Sequence, residues 1–375
     1  MIEQKFLRGH RGRRLRFPVG VAVILAAGAG IALGGSKPST EDLVTGPIAV
    51  DAKPIAHFDR LQPNETRFGK LTWRGGLVLT SPSSYFGGWS GLRLDSEGNG
   101  LLAVSDAGLW MTGRLTYSEE GTPSGISGAR IGAIQSKGGD PLSRRADRDA
   151  EGLALINGSP ENGSVYISFE RKHRIARYDI GPEGLSAARG TVQLPKAAGK
   201  MTKNGGFEAI AVLRGEGRNS GKLVAFSEDL RDEDGNYVGW IWEEKDQRPR
   251  ALYMTNDGDY SITDAAPLPD GGLLVLERRF RFSEGVRMRL RHIKGDAIRP
   301  GAVIDADILA AADGRAEIDN MEGLAVHTAP GGEIVVTLIS DDNYNHALQR
   351  TVLLQFTLTT ADLTAEADGS RSDQP

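Results

Sequence analysis

Five short segments of the chain repeat one pattern, in which a polar residue stands just before a small residue and an apolar stretch. The segments are residues 89–92, 149–154, 206–211, 262–266 and 320–325. Four copies carry an acid in the polar place, and the first carries a serine. The spacings between successive polar residues are 61, 57, 56 and 58 residues, for Ser90, Glu151, Glu208, Asp264 and Glu322. Recurrence this even predicts a repeat architecture in which each copy is one structural unit.

Each repeat leads into a second apolar run, which ends in an acidic residue. These runs are residues 101–106, 165–170, 223–228, 273–277 and 334–342. Their β-branched and aromatic content predicts buried strands, and Gly- and Pro-bearing turns separate them from the first segments. Weaker strand patterns follow at residues 174–180, 238–242, 286–293 and 352–358. Each unit therefore holds several strands.

Several strands in a repeated unit of about 57 residues, with no long helical period, predict an all-β chain folded as a five-bladed β-propeller. Residues 71–80 form a lone predicted strand before the first repeat, and we expect this strand to complete the last blade and close the ring. Six blades are the alternative if residues 58–80 or a long unit hide another blade. A β-sandwich explains the strands but not the even recurrence.

The acidic residues of each unit should converge on one end of the propeller. If the first two strands form a hairpin, the start of one lies beside the end of the other, so Glu151 neighbours Glu170. The same holds for three further pairs: Glu208 with Glu228, Asp264 with Glu277, and Glu322 with Asp341 or Asp342. Because the first strand of a blade lines the central channel, these carboxylates are predicted to ring one mouth of it.

A ring of carboxylates needs compensation, because like charges a few Å apart repel each other and raise each other's pKa. A bound cation, basic partners or backbone N–H groups could each supply it. Oxygen ligands in a chain without cysteine favour Ca²⁺ over softer metals. The predicted metal ligands are Asp106, Glu151, Glu208, Glu228, Glu322 and Asp342. Glu277, flanked by Arg278 and Arg279, is predicted to be ion-paired instead.

Basic residues close to these acids are candidates for binding substrate oxygens, since guanidinium groups pair well with phosphate. The candidates are Arg148, Arg171 and Arg278. Acid–base candidates are His173, His327 and His346, and no nucleophile can be assigned. The chain has no Gly-x-Ser-x-Gly elbow, P-loop or His-Glu-x-x-His motif.

The first 35 residues predict export. Five arginines between Arg8 and Arg16 precede an apolar run at residues 17–33, which is typical of a signal peptide or a short membrane anchor. We therefore expect a periplasmic or other extracytoplasmic protein, with or without attachment to the inner membrane. Residues 36–57 are predicted as a linker, 58–362 as the propeller and 363–375 as a disordered tail. A net charge of −4 gives no general attraction to nucleic acid.

The repeat segments resemble the phytase-like family of bacterial propellers, described as having esterase-like activity of phytase. The resemblance rests on residues 149–154, 207–211, 319–326 and 340–343, and it extends over about residues 68–358. It implies a propeller, export, and a metal-dependent hydrolase of phosphate or carboxylic esters. Ser90 departs from the pattern in the first blade. The alternative is a non-catalytic envelope propeller that binds a ligand or a partner protein.

Overall fold

The computed structural model describes residues 35–243 and 248–364. These residues form five sheets of four to six strands, one for each predicted blade. Residues 1–34 of the predicted leader lie outside the described residues, as does the tail from residue 365. Among the described helices, none is long and apolar enough to cross a membrane.

Four strands precede the first repeat and later join the edges of two blades. They are β1 (Gly46–Pro47), β2 (Asp51–Ile55), β3 (Arg67–Phe68) and β4 (Leu71–Thr80). Blade 1 follows with β5 (Trp89–Leu94), β6 (Gly100–Ser105), β7 (Leu109–Tyr117) and β8 (Pro123–Ala133), and β1 pairs with β8. A one-turn helix, α1 (Arg145–Arg148), leads to blade 2.

Blade 2 contains β9 (Ala150–Gly158), β10 (Gly163–Phe169), β11 (Arg174–Gly181), β12 (Gly184–Leu185) and β13 (Gly190–Thr191). After a 3₁₀ turn at Lys196–Lys200, blade 3 contains β14 (Phe207–Val212), β15 (Leu223–Arg231), β16 (Tyr237–Trp242) and β17 (Pro249–Met254). Its edge strand β21 (Val303–Ile304) pairs with β17 in parallel.

Blade 4 contains β18 (Ser261–Pro267), β19 (Leu273–Arg281), β20 (Gly285–Ile293) and β22 (Asp307–Ala312), with a 3₁₀ turn at Gly295–Ala297. Blade 5 contains β23 (Asn320–Thr328), β24 (Ile334–Asp341) and β25 (Thr351–Leu358), and α2 (Thr360–Thr364) ends the described chain.

Strand β4 closes the ring as predicted. It pairs antiparallel with β25, with Leu77 opposite Leu353 and Val78 opposite Val352, so both ends of the domain share blade 5. Strand β2 then adds to the outer side of β4. The propeller therefore has five blades. Residues 58–80, which could have hidden a sixth blade, instead contribute β3 and β4 to blade 5.

The hydrophobic core consists of five clusters, one between each pair of neighbouring blades. Strand β6 shows why the clusters lie between neighbouring blades. Leu101 and Ala103 face blade 5, whereas Leu102 and Val104 face blade 2. Because successive side chains point to opposite faces of a strand, a strand buried on both faces must be apolar at every position. This explains the continuous apolar runs in the sequence.

The innermost strands of all five blades carry a β-bulge at the repeat position. In β14, Phe207 and Ala209 pair with the consecutive residues Ser227 and Phe226, so Glu208 is the extra residue. Equivalent register shifts fall at Ser90, Glu151, Thr263 and Glu322. A bulge bends the strand and re-aims one side chain. The repeat position of blade 4 is therefore Thr263, and the alignment of Asp264 with the acids was wrong by one residue.

In four of the five blades, a Gly or Ala follows the bulge and lets neighbouring inner strands approach closely. A Cβ on Gly152 would lie 2.4 Å from the carbonyl oxygen of Glu208 on the next blade. Asp264 occupies this position in blade 4, and its fully buried carboxylate receives two hydrogen bonds from Arg93, at 2.9 and 3.0 Å.

Arg93 lies in the middle of the channel and ties four inner strands together. Beyond Asp264 on β18, it donates to the carbonyls of Leu92 on β5, Ile210 on β14 and Leu324 on β23. Only 5% of Arg93 is exposed, so this pair fills the channel below its mouth.

The segment predicted as a linker, residues 36–57, packs against the propeller along much of its length. It contains β1 and β2, and Thr40 is fully buried. The missed strands are short and polar, and their pairing partners are distant in sequence. At the other end, Leu363 belongs to the core between blades 4 and 5, although the predicted tail began there.

Replacing Arg93 with methionine should lower the free energy of unfolding by about 3–5 kcal/mol, because it leaves the Asp264 carboxylate buried without its partner. Urea unfolding at neutral pH measures this. Arg189→Met is the control: its pair with Asp179 (2.7 Å) is exposed and should change stability by less than about 1 kcal/mol. Equal effects of the two substitutions would contradict the central role of Arg93.

Candidate functional site

Within residues 35–243 and 248–364, nine carboxylates gather at the end of the channel where the inner strands begin. This group is called the carboxylate mouth below. The antiparallel hairpin of each blade places the bulge of its first strand beside the end of its second strand, as the sequence predicts. The members are Asp106, Asp149, Glu151, Glu170, Glu208, Glu228, Glu322, Asp341 and Asp342.

Few cations oppose this charge in the described residues. Lys37 bonds Asp106 and Asp149, Arg171 also pairs with Asp149, and Arg278 pairs with Glu322. His346 adds a contact to Asp342. In the part of the chain that the structure describes, three permanent positive charges thus face nine carboxyl groups, so the mouth must take up protons or bind further cations.

Among the described residues, two groups of three carboxylates are close enough to hold an ion. Oxygens of Asp149, Glu151 and Glu170 lie within 4.8 Å of one another, and so do those of Glu170, Glu208 and Glu228. Glu170 belongs to both groups. The sequence placed Glu170 beside Glu151 but did not predict it as a ligand. Asp149 was not predicted either, although it is the first residue of its repeat segment.

The group of Glu170, Glu208 and Glu228 is called the glutamate triad below. Its negative charge has fewer basic ion-pair partners than that of the other group, in which Asp149 pairs with Lys37 and Arg171. Glu170 accepts a hydrogen bond from the backbone N–H of Gly206 at 3.0 Å. Within the part of the chain that the structure describes, no Lys, Arg or His nitrogen forms an ion pair with these three carboxylates. Only 6% of Glu170 and 7% of Glu208 are exposed, so water cannot fully compensate their charge.

Three predicted ligands lie in the mouth but outside both groups. Asp106 is bonded by Lys37, and Glu322 is held by Arg278 and by the side-chain amide of Asn320, at 2.8 and 2.9 Å. Asp342 accepts hydrogen bonds from structural donors. These donors are the N–H groups of Gly88 and Tyr344 and the hydroxyl of Thr351.

Blade 4 contributes a base where the other blades contribute an acid. Arg278 follows Glu277 within β19, and it reaches across to Glu322 on the next blade. Glu277 is fully buried away from the mouth and is ion-paired, as predicted. Its partners, however, are Arg289 and Arg291 on the neighbouring strand β20. Adjacent residues of a strand point to opposite faces, so Arg278 could not pair with Glu277. Arg279, two residues from Glu277, pairs with Glu284 instead.

The three candidate arginines differ in what they can offer a substrate. Arg278 and Arg171 lie in the mouth, each with about a quarter of the side chain exposed and one carboxylate partner. Arg148 is 8% exposed and donates to the backbone carbonyl of Pro38 at 2.7 Å. Arg148 therefore fixes the N-terminal segment, and the structure gives it no free approach to a ligand.

One candidate histidine contacts an acid of the mouth. Nδ1 of His346 lies 3.1 Å from Oδ2 of Asp342, and 60% of its side chain is exposed. His173 lies at the edge, bonded to the carbonyl of Thr202 at 2.9 Å. His327 lies at the other end of β23 against Gly98, where burial lowers its pKa to about 4. His327 is thus not part of the mouth.

Burial raises the pKa of most carboxyl groups in the mouth. It brings the pKa of Glu170 to about 7 and that of Glu228 to about 8. For Glu208, burial comes first and the charges of Glu151 and Glu170 add to it, so its pKa also lies well above the ordinary value. Burial raises the pKa of Glu151 and Asp341 in the same way.

Comparison with known proteins identifies a family. The family model described as phytase-like, esterase-like activity of phytase, matches residues 84–344. No curated protein matches the chain. Among solved structures, the Dos1 propeller is 11% identical, with a TM-score of 0.34, 78% of this chain covered and 70% of that chain. A hypothetical protein from Leishmania major is 10% identical, with a TM-score of 0.39, 72% of this chain covered and 86% of that chain. Likeness at this level has no bearing on function.

Without divalent cations, the protein should lose stability as the pH rises from about 5 to about 8. Glu170 and Glu228 bind protons more tightly in the folded state, so their stabilisation is complete below the ordinary pKa of 4.5 and is lost as the pH rises towards their folded values. We expect a loss on the order of 2 kcal/mol, measured by urea unfolding in chelator.

Glu228→Gln should flatten this dependence, because the amide keeps the shape of the protonated acid and cannot ionise. Glu333→Gln, in the exposed turn at the opposite end of β24, is the matched control and should retain the full slope. An unchanged slope in Glu228→Gln would show that the mouth does not govern the pH dependence.

Proposed function

Because this chain belongs to the phytase-like family of β-propellers, we propose that it is an exported, metal-dependent hydrolase of phosphate or carboxylic esters acting at the carboxylate mouth. Family membership supports a hydrolase-like function. The observation that carries the more specific proposal is the glutamate triad, in which the buried Glu170 and Glu208 converge with the half-buried Glu228. Among the described residues, no Lys, Arg or His nitrogen lies within ion-pair distance of the three carboxylates, and the charge of Arg278 acts on Glu228 from further away.

The donor set fits a hard divalent cation. All side chains of the triad offer carboxylate oxygens, and the chain has no cysteine. Such sites favour Ca²⁺, which accepts several oxygen ligands in flexible geometry. Glu170, Glu208 and Glu228 would hold the first cation, with Glu151 and Asp149 in the adjoining group. When bound, the cation would polarise an ester oxygen and acidify a water molecule.

The surrounding residues suit binding of an anionic or polar ester. A phosphate group would be repelled by the bare carboxylates, so the mouth admits it only when cations offset their charge. Arg278 and Arg171 then present guanidinium N–H groups to substrate oxygens. His346, oriented by Asp342, is the histidine placed to transfer a proton at the rim.

The proposed location is outside the cytoplasm, either free in the periplasm or attached to the inner membrane through residues 17–33. The arginines and the apolar run of the first 35 residues support it. An extracytoplasmic location also suits Ca²⁺, because extracellular modules bind this ion at about 0.1–1 mM. The proposed partner is a small-molecule ester, and no feature favours nucleic acid.

Hydrolysis of p-nitrophenyl phosphate or p-nitrophenyl acetate should require Ca²⁺ and the glutamate triad. Chelation should abolish the activity, and Ca²⁺ should restore it. Glu208→Gln should reduce kcat/KM on the order of 100-fold, because the cation loses a ligand. Ca²⁺ should also raise the melting temperature of the wild type, and Glu208→Gln should lose most of that rise.

Glu333→Gln removes one carboxylate far from the mouth and should behave as wild type in both measurements. Hydrolysis that survives chelation would contradict metal dependence. Ca²⁺ binding without hydrolysis of either ester would instead favour the non-catalytic propeller that binds a ligand or partner.

A further inference from the structure

Residues 35–43, the first of the described residues, form a segment across the carboxylate mouth that is called the strap below. The N–H of Gly35 donates to the carbonyl of Asn343 at 2.9 Å, beside the last acids of blade 5. The contact is tight: a Cβ on Gly35 would lie 1.8 Å from the carbonyl oxygen of Tyr344. One end of the strap is therefore fitted to blade 5.

The other half of the strap is fixed between blades 1 and 2. Arg148 donates to the carbonyl of Pro38 at 2.7 Å. The hydroxyl of Thr40, a fully buried residue, donates to the carbonyl of Leu142 at 2.9 Å. The strap is thus bound on both sides of Lys37.

This arrangement directs Lys37 into the mouth. Its Nζ lies 2.6 Å from Oδ2 of Asp106 and 3.1 Å from Oδ1 of Asp149. The two acids belong to different blades, so Lys37 bridges them. Burial alone would lower the pKa of Lys37, but these acids, with Glu151, raise it above its ordinary value. The ammonium is therefore held as a cation.

The position of Lys37 has the chemistry of a cation site. Asp106 is 7% exposed, and its second oxygen, Oδ1, is buried without a hydrogen-bond partner among the described residues. Asp149 belongs with Glu151 to the first group of three carboxylates. Two acids thus pair with one ammonium group that arrives from outside the blades, and the charge of a third, Glu151, also acts on it.

We propose that Lys37 is a tethered cation occupying a second cation site, formed by Asp106, Asp149 and Glu151, and that release of the strap opens this site to a divalent cation. The inference rests on the proposed function only in taking the mouth as a cation-binding site. With the strap bound, the mouth holds one mobile cation at the glutamate triad, and Lys37 replaces the second. The strap thereby sets how many cations the mouth binds.

The test is calcium binding by Lys37→Met in the full chain, with a mild nonionic detergent present throughout. Calorimetric titration of the chelated protein should show one additional Ca²⁺ per chain, or binding tightened about tenfold or more, because the acids lose their tethered competitor. Ca²⁺ should also raise the melting temperature more in Lys37→Met than in the wild type. Lys37→Arg keeps a cation and should resemble the wild type.

Lys172→Met is the matched control. Lys172 pairs with Asp147 at 2.7 Å on the same side of the propeller, and 57% of its side chain is exposed. The control removes the same charge without touching the mouth and should not change calcium binding. Identical stoichiometry, affinity and thermal shift in Lys37→Met and the wild type would overturn the inference.

A second variant covers the case in which Lys37→Met does not fold in chelator. Thr40→Val retains Lys37 but removes one anchor of the strap, so it should tighten calcium binding in the same direction and to a smaller degree. Recovery of folded Lys37→Met by Ca²⁺ supports the inference. If Lys37→Met stays unfolded and Thr40→Val binds Ca²⁺ as the wild type does, the inference is wrong.

The outcomes separate this inference from the proposed function. Calcium binding by Lys37→Met but not by the wild type supports the tethered cation and contradicts calcium-dependent hydrolysis by the wild type. Calcium-dependent hydrolysis by the wild type, with calcium binding in Lys37→Met unchanged from the wild type, supports the proposed function and contradicts the tethered cation. If neither protein binds Ca²⁺, both fail.

Discussion

Electrostatic repulsion at one mouth of the channel is the constraint on which the chemistry of this protein depends. Blades 1, 2, 3 and 5 deliver nine carboxylates of the described residues to one place. The fold itself causes the crowding, because the second strand of each hairpin ends beside the start of its own inner strand. The bulges at Glu151, Glu208 and Glu322 aim three of these carboxylates inward. Burial then denies them water, so protons, basic side chains or bound cations must compensate the charge.

The rest of the molecule resists this repulsion. The five apolar clusters hold the blades against one another. Strand β4, which precedes the first repeat, pairs with β25 in the last blade and closes the ring. Below the mouth, Arg93 bonds backbone carbonyls of inner strands and the carboxylate of Asp264. This pair supplies an internal charge balance deep in the channel. The mouth above it can therefore remain short of cations while the ring stays closed.

Basic side chains neutralise the carboxylates of the mouth to different degrees on its different sides. Around Asp106 and Asp149, the chain supplies its own cations through Lys37 and Arg171. At Glu322, Arg278 does the same. The glutamate triad between them has no such partner among the described residues, and its pKa values are raised. This gradient distinguishes structural acids from acids available to a metal, a distinction that the family resemblance alone does not make.

The sequence predicted the blade number, the closing strand and the end at which the acids gather, because an even repeat and continuous apolar runs report directly on strands buried on both faces. It could not show that bulges shift the register, so Asp264 was aligned in place of Thr263. Lys37 was missed for a different reason: its partners Asp106 and Asp149 are distant in sequence, and the polar strap has no periodicity. Nor could spacing separate Glu170, a member of both groups, from Asp342, whose oxygens are satisfied by backbone and hydroxyl donors. Diffraction from crystals of the full chain grown with saturating Ca²⁺, recorded at a wavelength where calcium scatters anomalously, tests the central claim most directly. We predict an anomalous peak about 2.3–2.6 Å from carboxylate oxygens of Glu170, Glu208 and Glu228. A triad without a peak, with its carboxyl groups hydrogen-bonded to one another, would contradict it.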